Sequence, residues 1–198
     1  MNQAPTMKAD TDRGQDPRRP DTAPPESRGS VSGRRGLLVL ALSLIVVFGF
    51  VRPFVVEPFY VPSDSMNPTL RSGDSVLVAK FAYRLADPQR NSLVVFESPT
   101  DTNKILMKRV VGVAGDRVAV RDGVLFVNGE RKSEPYVNYR LTDSTFFGPA
   151  RVPEDHVFVM GDNRSNSVDS RSFGAVPEED LLGEAFVRFW PLGRAGTP

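Results

Sequence analysis

The hydrophobic pattern divides the chain into three parts. Residues 1–35 are rich in Pro, Asp, Arg, Ser and Gly and contain almost no large apolar side chains. Such a segment buries too little apolar surface to offset its ordering entropy, which predicts a disordered tail. Residues 36–51 form an uncharged apolar run, and short apolar runs separated by turn residues follow it. We therefore expect a tail at 1–35, an apolar segment at 36–52 and a folded region at 53–198.

The apolar segment predicts a single transmembrane helix. Its 16 uncharged residues span about 24 Å as a helix, a little less than the roughly 30 Å hydrocarbon core of a bilayer. A buried core helix is one alternative, although helices in soluble cores are seldom apolar on all sides. A cleaved signal peptide is another, but Val51-Arg52-Pro53 offers no small-x-small cleavage site after the run. The excess of arginine before the run predicts a cytoplasmic tail and an extracytoplasmic folded region.

The folded region is predicted to be mainly β. Short runs of β-forming residues alternate with turns and show almost no helical periodicity, as in barrels and sandwiches. Asp122-Gly123 and Asn128-Gly129 are strong hairpin signals. Residues 130–153 have little periodicity and are interpreted as a loop-rich insertion, and 181–182 as a turn or short helix. The predicted strands cover residues 54–61, 75–80, 93–96, 104–113, 118–121, 124–127, 157–160 and 185–190.

The first predicted strand, at 54–61, is strongly apolar and directly follows the transmembrane segment. Exposed apolar surface in that place would contact the membrane or a ligand. An ordinary core strand explains the same pattern equally well.

Composition excludes several classes of site. The chain has 198 residues, room for one ordinary domain with appendages. Its net charge of +1 gives no general reason to expect nucleic acid. With no cysteine and one histidine, it has no disulfide, no thiolate nucleophile and no multi-histidine metal site. We expect neither a metal nor a cofactor.

The stretch at 61–70 carries the first candidate chemistry. Ser63 and Ser65 lie two residues apart between Pro62 and Pro68, and proline favours extended backbone and tight turns. In extended backbone residues i and i+2 point the same way. One hydroxyl can therefore attack a carbonyl while the other donates to the oxyanion that forms. A polar loop without chemistry is the alternative.

A serine nucleophile needs a base, and the chain offers two candidates. His156 follows Asp155, but neighbours on a strand face opposite sides, so Asp155 is badly placed to orient the ring. Lys108 lies in the most apolar setting of any lysine, sharing a strand face with Leu106 and Val110. Burial there would lower its pKa and yield a neutral amine. A surface lysine on a half-buried strand is the alternative.

A dense polar loop at 161–171 supplies possible supporting groups. Ser167 can hydrogen-bond a neutral lysine amine and orient its lone pair. A solvated surface loop is the alternative, although it would not need so many compensating charges. The charged side chains that can pair to fix the loop are Asp162, Arg164, Asp169 and Arg171.

Four motifs follow the predicted anchor in order: Pro62-Ser63-x-Ser65-Met66-x-Pro68-Thr69-Leu70, Gly73-Asp74-x-Val76, Lys108-Arg109-Val110-x-Gly112-x-x-Gly115-Asp116 and Gly161-Asp162-Asn163-Arg164-x-Asn166-Ser167-x-Asp169-Ser170-Arg171. Together they resemble the motifs of the bacterial type I signal peptidases, membrane-anchored serine proteases with a Ser-Lys dyad. Asp64 stands where this family usually has glycine, and Ala114 where it often has proline. Neither residue carries a catalytic group.

The resemblance implies specific roles. Ser65 is expected to be the nucleophile and Lys108 the general base, with Ser167 orienting Lys108. The Ser65 backbone N–H and the Ser63 hydroxyl would form the oxyanion hole. The supporting ion pairs would be Arg109 with Asp162 and Asp169 with Arg171. The substrate pockets would be flanked by Phe59, Val61 and Met107.

The implied fold is a signal-peptidase-like β-barrel or sandwich core with a small inserted β region at about 117–157. The implied activity is cleavage of signal peptides with small residues at −1 and −3 from exported preproteins, outside the cytoplasmic membrane. Expected partners are these peptides, the lipid bilayer and the export machinery. A self-cleaving Ser-Lys protease of the repressor type would need a DNA-binding domain ahead of the core. A membrane-tethered β domain that binds exported partners without catalysis is the rival from another class.

Overall fold

The structure, a computed structural model, describes residues 31–46, 49, 55–139 and 145–198. Helix α1 spans Val31–Val46, and its large apolar side chains from Leu37 onward are 45–69% exposed. It thus begins five residues ahead of the predicted apolar segment. Among the described residues, no helix has the length and apolar character needed to cross a membrane. Most of the predicted tail, and the end of the predicted anchor, lie outside the described residues.

The folded region is mainly β, as predicted. Two short helices also occur, α2 (Ala82–Leu85) and α3 (Ser170–Phe173). The described strands are β1 (Val56–Tyr60), β2 (Ser75–Ala79), β3 (Leu93–Ser98), β4 (Asp101–Gly112), β5 (Arg117–Arg121), β6 (Val124–Val127), β7 (Glu130–Arg131), β8 (Phe147–Arg151), β9 (His156–Met160), β10 (Val176–Pro177) and β11 (Leu181–Trp190).

A seven-stranded antiparallel sheet carries the candidate site. Its order is β1-β2-β11-β3-β4-β9-β10. Strand β11 is continuous over ten residues, whereas the sequence suggested a turn or short helix at 181–182 before a shorter strand. Its register with β3 shifts between Leu181 and Gly183, because a bulge accommodates the glycine within the strand.

A second sheet of four strands, in the order β7-β6-β5-β8, lies in the chain between β4 and β9. It occupies residues 117–151, within the predicted insertion. Asp122 and Gly123, at the tip of the β5–β6 hairpin, both have positive φ (52° and 74°), as a type I′ turn requires. Strand β8 was not predicted, because its Gly148 and Pro149 are depleted from strands.

Three buried apolar clusters stabilise these sheets. The first supports the stretch at 61–70, which we call the serine turn, through Val61, Met66 and Leu70. The second joins the four-stranded sheet to β4 and β9, with Val118 packed near Phe158. The third covers the other face of β3 and β4. Because Val110 and Val111 belong to different clusters, β4 is held from both faces next to Lys108.

Candidate active site

The serine turn is fixed at both ends by backbone pairing and buried side chains. Val61 N–H donates to the Asp74 carbonyl at 2.9 Å, and Leu70 N–H donates to the Met66 carbonyl at 2.9 Å. Between these anchors, Ser63 is exposed and Ser65 half-buried. Their hydroxyl oxygens are 3.4 Å apart, on the same side of the chain. The turn therefore presents both hydroxyls together.

Lys108 lies on β4, opposite Val94 of β3, and is only 3% exposed. Its Nζ is 2.6 Å from Ser65 Oγ. Burial lowers the Lys108 pKa from 10.5 to about 8, although the charges of Asp169 and Asp162 oppose this shift. A lysine with such a pKa supplies a neutral amine near physiological pH, which a base acting on serine requires.

Arg109 and Asp162 form a buried bidentate ion pair behind Lys108. Arg109 Nε and Nη2 donate to the two carboxylate oxygens of Asp162 at 2.9 and 2.7 Å. Thr69 donates its hydroxyl hydrogen to Asp162 at 2.5 Å. Because Thr69 belongs to the serine turn and Arg109 follows Lys108, this carboxylate joins the two segments that bring nucleophile and base together.

The loop at 161–171 contains the second expected ion pair. Arg171 Nε donates to Asp169 Oδ1 at 2.8 Å, and Gly161 N–H donates to Asp169 Oδ2 at 3.0 Å. Burial raises the Asp169 pKa, but hydrogen bonds and the charge of Arg171 lower it by more than burial raises it. The Asp169 pKa therefore lies below its usual value. Asp169 therefore stays ionised and fixes the loop that packs beside the serine turn.

Ser167 differs from the expectation. Its Oγ is buried, and no hydrogen bond among the described residues joins it to Lys108. The hydroxyl packs against Gly161, which leaves no room there for a Cβ. Lys108 Nζ is instead directed at Ser65. The orienting role of Ser167 stays a prediction.

A cavity of about 320 Å³ leads to Ser65 and Lys108. Tyr60 and Ile105 are exposed at it (64% and 51%). We call this cavity the groove. Its lining residues include the three expected at the substrate pockets, Phe59, Val61 and Met107, together with Ser63.

The N-terminal half of β4 borders the groove and has an open edge. Strand β3 pairs with β4 from Asp101 to Arg109, but β9 pairs with it only from Arg109 onward. Among the described residues, no strand pairs with the other edge of residues 105–108. An extended peptide in the groove can therefore hydrogen-bond this edge.

His156, the alternative base, does not line the groove. It begins β9, pairs with Pro177 of β10, and its Nδ1 is 2.7 Å from the Glu154 carbonyl oxygen. Its surroundings are those of a residue at a strand end.

Sequence reasoning missed Glu134 as a member of the site. This carboxylate forms a buried bidentate ion pair with Arg164, which had been expected to pair within its own loop. Tyr136 was also missed, and its ring lies 4.0 Å from the Arg109 guanidinium carbon. Both lie in the segment interpreted as loop-rich. A glutamate followed within five residues by two tyrosines in an aperiodic segment was the available sequence signal.

Of the two departures from the family pattern, Asp64 has a local structural role. Its Oδ1 accepts from Ser72 N–H at 3.0 Å, and its carbonyl accepts from the Asn163 side chain at 3.0 Å. Ala114 lies in a turn closed by Asp116 N–H donating to the Val113 carbonyl at 3.0 Å. Both positions therefore lie in turns that hydrogen bonds hold in place.

Comparison with known proteins gives consistent matches. The family described as signal peptidase, peptidase S26, matches residues 34–190. The chain is 42% identical over 180 residues to the probable signal peptidase I-2 of Synechocystis sp., covering 88% of this chain and 79% of that protein. It is 38% identical over 169 residues to signal peptidase I of Leptolyngbya laminosa, covering 81% of each. A crystal structure of a signal peptidase I from Enterococcus faecalis V583 has 32% identity and a TM-score of 0.45, covering 50% of this chain and 97% of that one.

Proposed function

Because this chain belongs to the signal peptidase family, peptidase S26, we propose that it cleaves signal peptides from exported preproteins with Ser65 as nucleophile and Lys108 as general base. Family membership makes it a serine endopeptidase of the signal peptidase I class. What we propose beyond family membership is the Ser-Lys dyad, the preference for small substrate residues at −1 and −3, and the membrane anchoring.

The observation that carries the dyad is the 2.6 Å distance between Lys108 Nζ and Ser65 Oγ, with the amine buried and its pKa lowered to about 8. The neutral amine accepts the Ser65 proton as Oγ attacks the scissile carbonyl. The resulting ammonium then protonates the departing amine of the mature protein. Water, deprotonated by the same lysine, hydrolyses the acyl-enzyme.

The oxyanion formed at the scissile carbonyl needs donors aimed at it. The Ser65 backbone N–H and the Ser63 hydroxyl are suitable, because both residues line the groove. In the free enzyme the Ser63 hydroxyl lies 3.4 Å from Ser65 Oγ. It can rotate from there toward the substrate oxygen.

The groove and the open edge of β4 support an extended substrate. A cleavage segment adding to residues 105–108 would place alternate side chains on the same face. Residues −1 and −3 would then both point into the groove beside Phe59, Val61 and Met107. A cavity of about 320 Å³, shared with the peptide backbone, favours side chains of alanine size.

We also propose a single-pass membrane location with the N-terminus in the cytoplasm. The uncharged run at 36–51, preceded by Arg34 and Arg35, supports it through the positive-inside rule. The catalytic domain would then act at the outer face of the cytoplasmic membrane, with the lipid bilayer and the export machinery as partners.

The test uses the full-length protein in detergent with a preprotein, or a peptide containing an Ala-x-Ala site. Cleavage after the second alanine, lost in Ser65→Ala and in Lys108→Met, is the expected result. A folded wild type that binds the peptide without cutting it would favour a binding domain. Cleavage only within its own chain would favour a self-cleaving protease.

A further inference from the structure

Glu134 places a carboxylate in the interior beside the loop at 161–171. The side chains of Glu134 and Arg164 are 1% and 2% exposed, and Arg164 Nη1 donates to Glu134 Oε2 at 2.9 Å. The hydroxyls of Tyr136 and Tyr139 donate to the same carboxylate at 3.1 and 3.2 Å. The carboxylate oxygens of Glu134 thus accept hydrogen bonds from the Arg164 guanidinium and from two tyrosines that lie in the same segment as Glu134.

Arg164 connects this carboxylate to the main chain behind the nucleophile. Its Nε donates to the Gly161 carbonyl at 3.0 Å. Gly161 packs directly against the Ser65 carbonyl oxygen, where a Cβ would not fit. Asn163 N–H donates to the same Ser65 oxygen at 3.1 Å. Arg164 therefore fixes the stretch of loop on which the Ser65 backbone rests.

The segment containing Glu134 also reaches the lysine side of the dyad. The Tyr136 ring lies 4.0 Å from the Arg109 guanidinium carbon, and its hydroxyl oxygen lies 3.3 Å from the Asn91 side-chain oxygen. Arg109 Nη1 donates to the Asn91 carbonyl at 2.8 Å. Arg109 follows Lys108 on β4. The segment that contains Glu134 and Tyr136 therefore contacts both Arg164, which lies behind Ser65, and Arg109, which lies next to Lys108.

We propose that Glu134 is a positioning residue of the dyad: through Arg164 it holds residues 161–163 against the Ser65 main chain and keeps Ser65 Oγ within reach of Lys108. This inference rests on the proposed function. Glu134 lies three residues after β7, a strand of the four-stranded sheet. The inference therefore gives that sheet a part in positioning the catalytic residues. None of the described residues that line the groove comes from that sheet.

A buried ion pair that served stability alone would behave differently from a positioning pair. Removing one partner of a buried pair destabilises a protein, whereas replacing both with apolar residues is often neutral or stabilising. The double variant Glu134→Leu with Arg164→Met therefore removes the buried charges together. It also removes the Arg164 hydrogen bond to Gly161, which is the contact that positions the loop.

The experiment measures kcat, KM and melting temperature of the full-length protein in detergent with an Ala-x-Ala peptide. In Glu134→Gln we expect kcat to fall about 10- to 100-fold, the effect of a displacement of about 1 Å in a catalytic group. KM should change little, because Glu134 does not line the groove. In the double variant the melting temperature should recover while kcat stays low. Glu130→Gln, at an exposed carboxylate paired with Lys132, is the matched control and should behave as wild type.

Two results would overturn the inference: a folded Glu134→Gln with wild-type kcat, or a double variant that recovers kcat together with its melting temperature. If neither folds, Arg164→Lys decides, since it keeps a cation beside Glu134 but loses the Nε hydrogen bond to Gly161. A lowered kcat there supports the inference, and an unchanged one overturns it. A wild type no more active than Ser65→Ala would instead refute the proposed function.

Discussion

Replacing Lys108 with methionine should make the protein more stable while abolishing cleavage. A fall in the Lys108 pKa from 10.5 to about 8 on folding corresponds to an energetic cost of about 3 kcal/mol for keeping the charged amine buried. Methionine has a similar length and no charge, so the variant escapes this cost. Ser65 is only half-buried, and its hydroxyl can bond water once the amine is gone.

The stability gained in Lys108→Met should decrease as the pH rises. Because folding lowers the Lys108 pKa, the unfolded chain binds more protons between pH values of about 8 and 10.5, and wild-type stability rises with pH in that window. The cost is complete below pH 8 and declines to about 1 kcal/mol at pH 10. The advantage of Lys108→Met should therefore be largest near pH 7 and small at pH 10.

Thermal melts of both proteins in detergent at pH 7 and pH 10 provide the assay. For a chain of this size, about 3 kcal/mol corresponds to a rise of roughly 6 to 12 °C in melting temperature. Lys104→Met is the matched control, since Lys104 lies on the same strand with its side chain 70% exposed, and should show no pH-dependent gain. A Lys108 variant less stable than wild type at pH 7, or a difference that does not shrink at pH 10, would refute the reasoning.

Three further predictions concern the dyad and its supports. Ser65→Ala should abolish cleavage, whereas Ser63→Ala should lower kcat about 100- to 1000-fold as one oxyanion donor is lost; equal residual activity in the two variants would contradict this assignment. In wild type, kcat/KM should rise about tenfold per pH unit until pH reaches about 8 and then level off, whereas a pH profile that changes in His156→Asn would make histidine the base. Arg109→Met leaves Asp162 buried without its cation and should destabilise the protein by about 3 to 5 kcal/mol, measured by chemical denaturation, and a loss near zero would show that Thr69 suffices as its partner.

Strand positions followed from local pattern wherever β-forming residues alternate between turns. β2 was predicted at 75–80 and spans Ser75–Ala79, and the hairpin at Asp122-Gly123 joins the two strands expected. Strand β8 was missed because Gly148 and Pro149 have low strand propensity. It forms because β5 offers an edge for pairing, which is a tertiary cause.

In the candidate site, too, local pattern identified some residues and only the tertiary structure revealed others. The proline-flanked serines and the lysine in an apolar strand identified Ser65 and Lys108 as candidates, and the family motifs gave them roles. The partner of Arg164 could not be found in this way. Glu134 lies 30 residues away in a segment without periodicity, and no local rule connects the two.

The sequence by itself determined what depends on near neighbours: a proline-flanked turn that contains Ser63 and Ser65, the turns between strands, and an uncharged run ahead of a β-rich region. Tertiary structure alone decided which side chains are removed from water and which distant groups meet. Ser65 and Lys108 are 43 residues apart in the chain and 2.6 Å apart in space. The basicity of Lys108 belongs to the second category, because a lysine pKa is lowered by loss of hydration, and only the packed strands around β4 exclude the water.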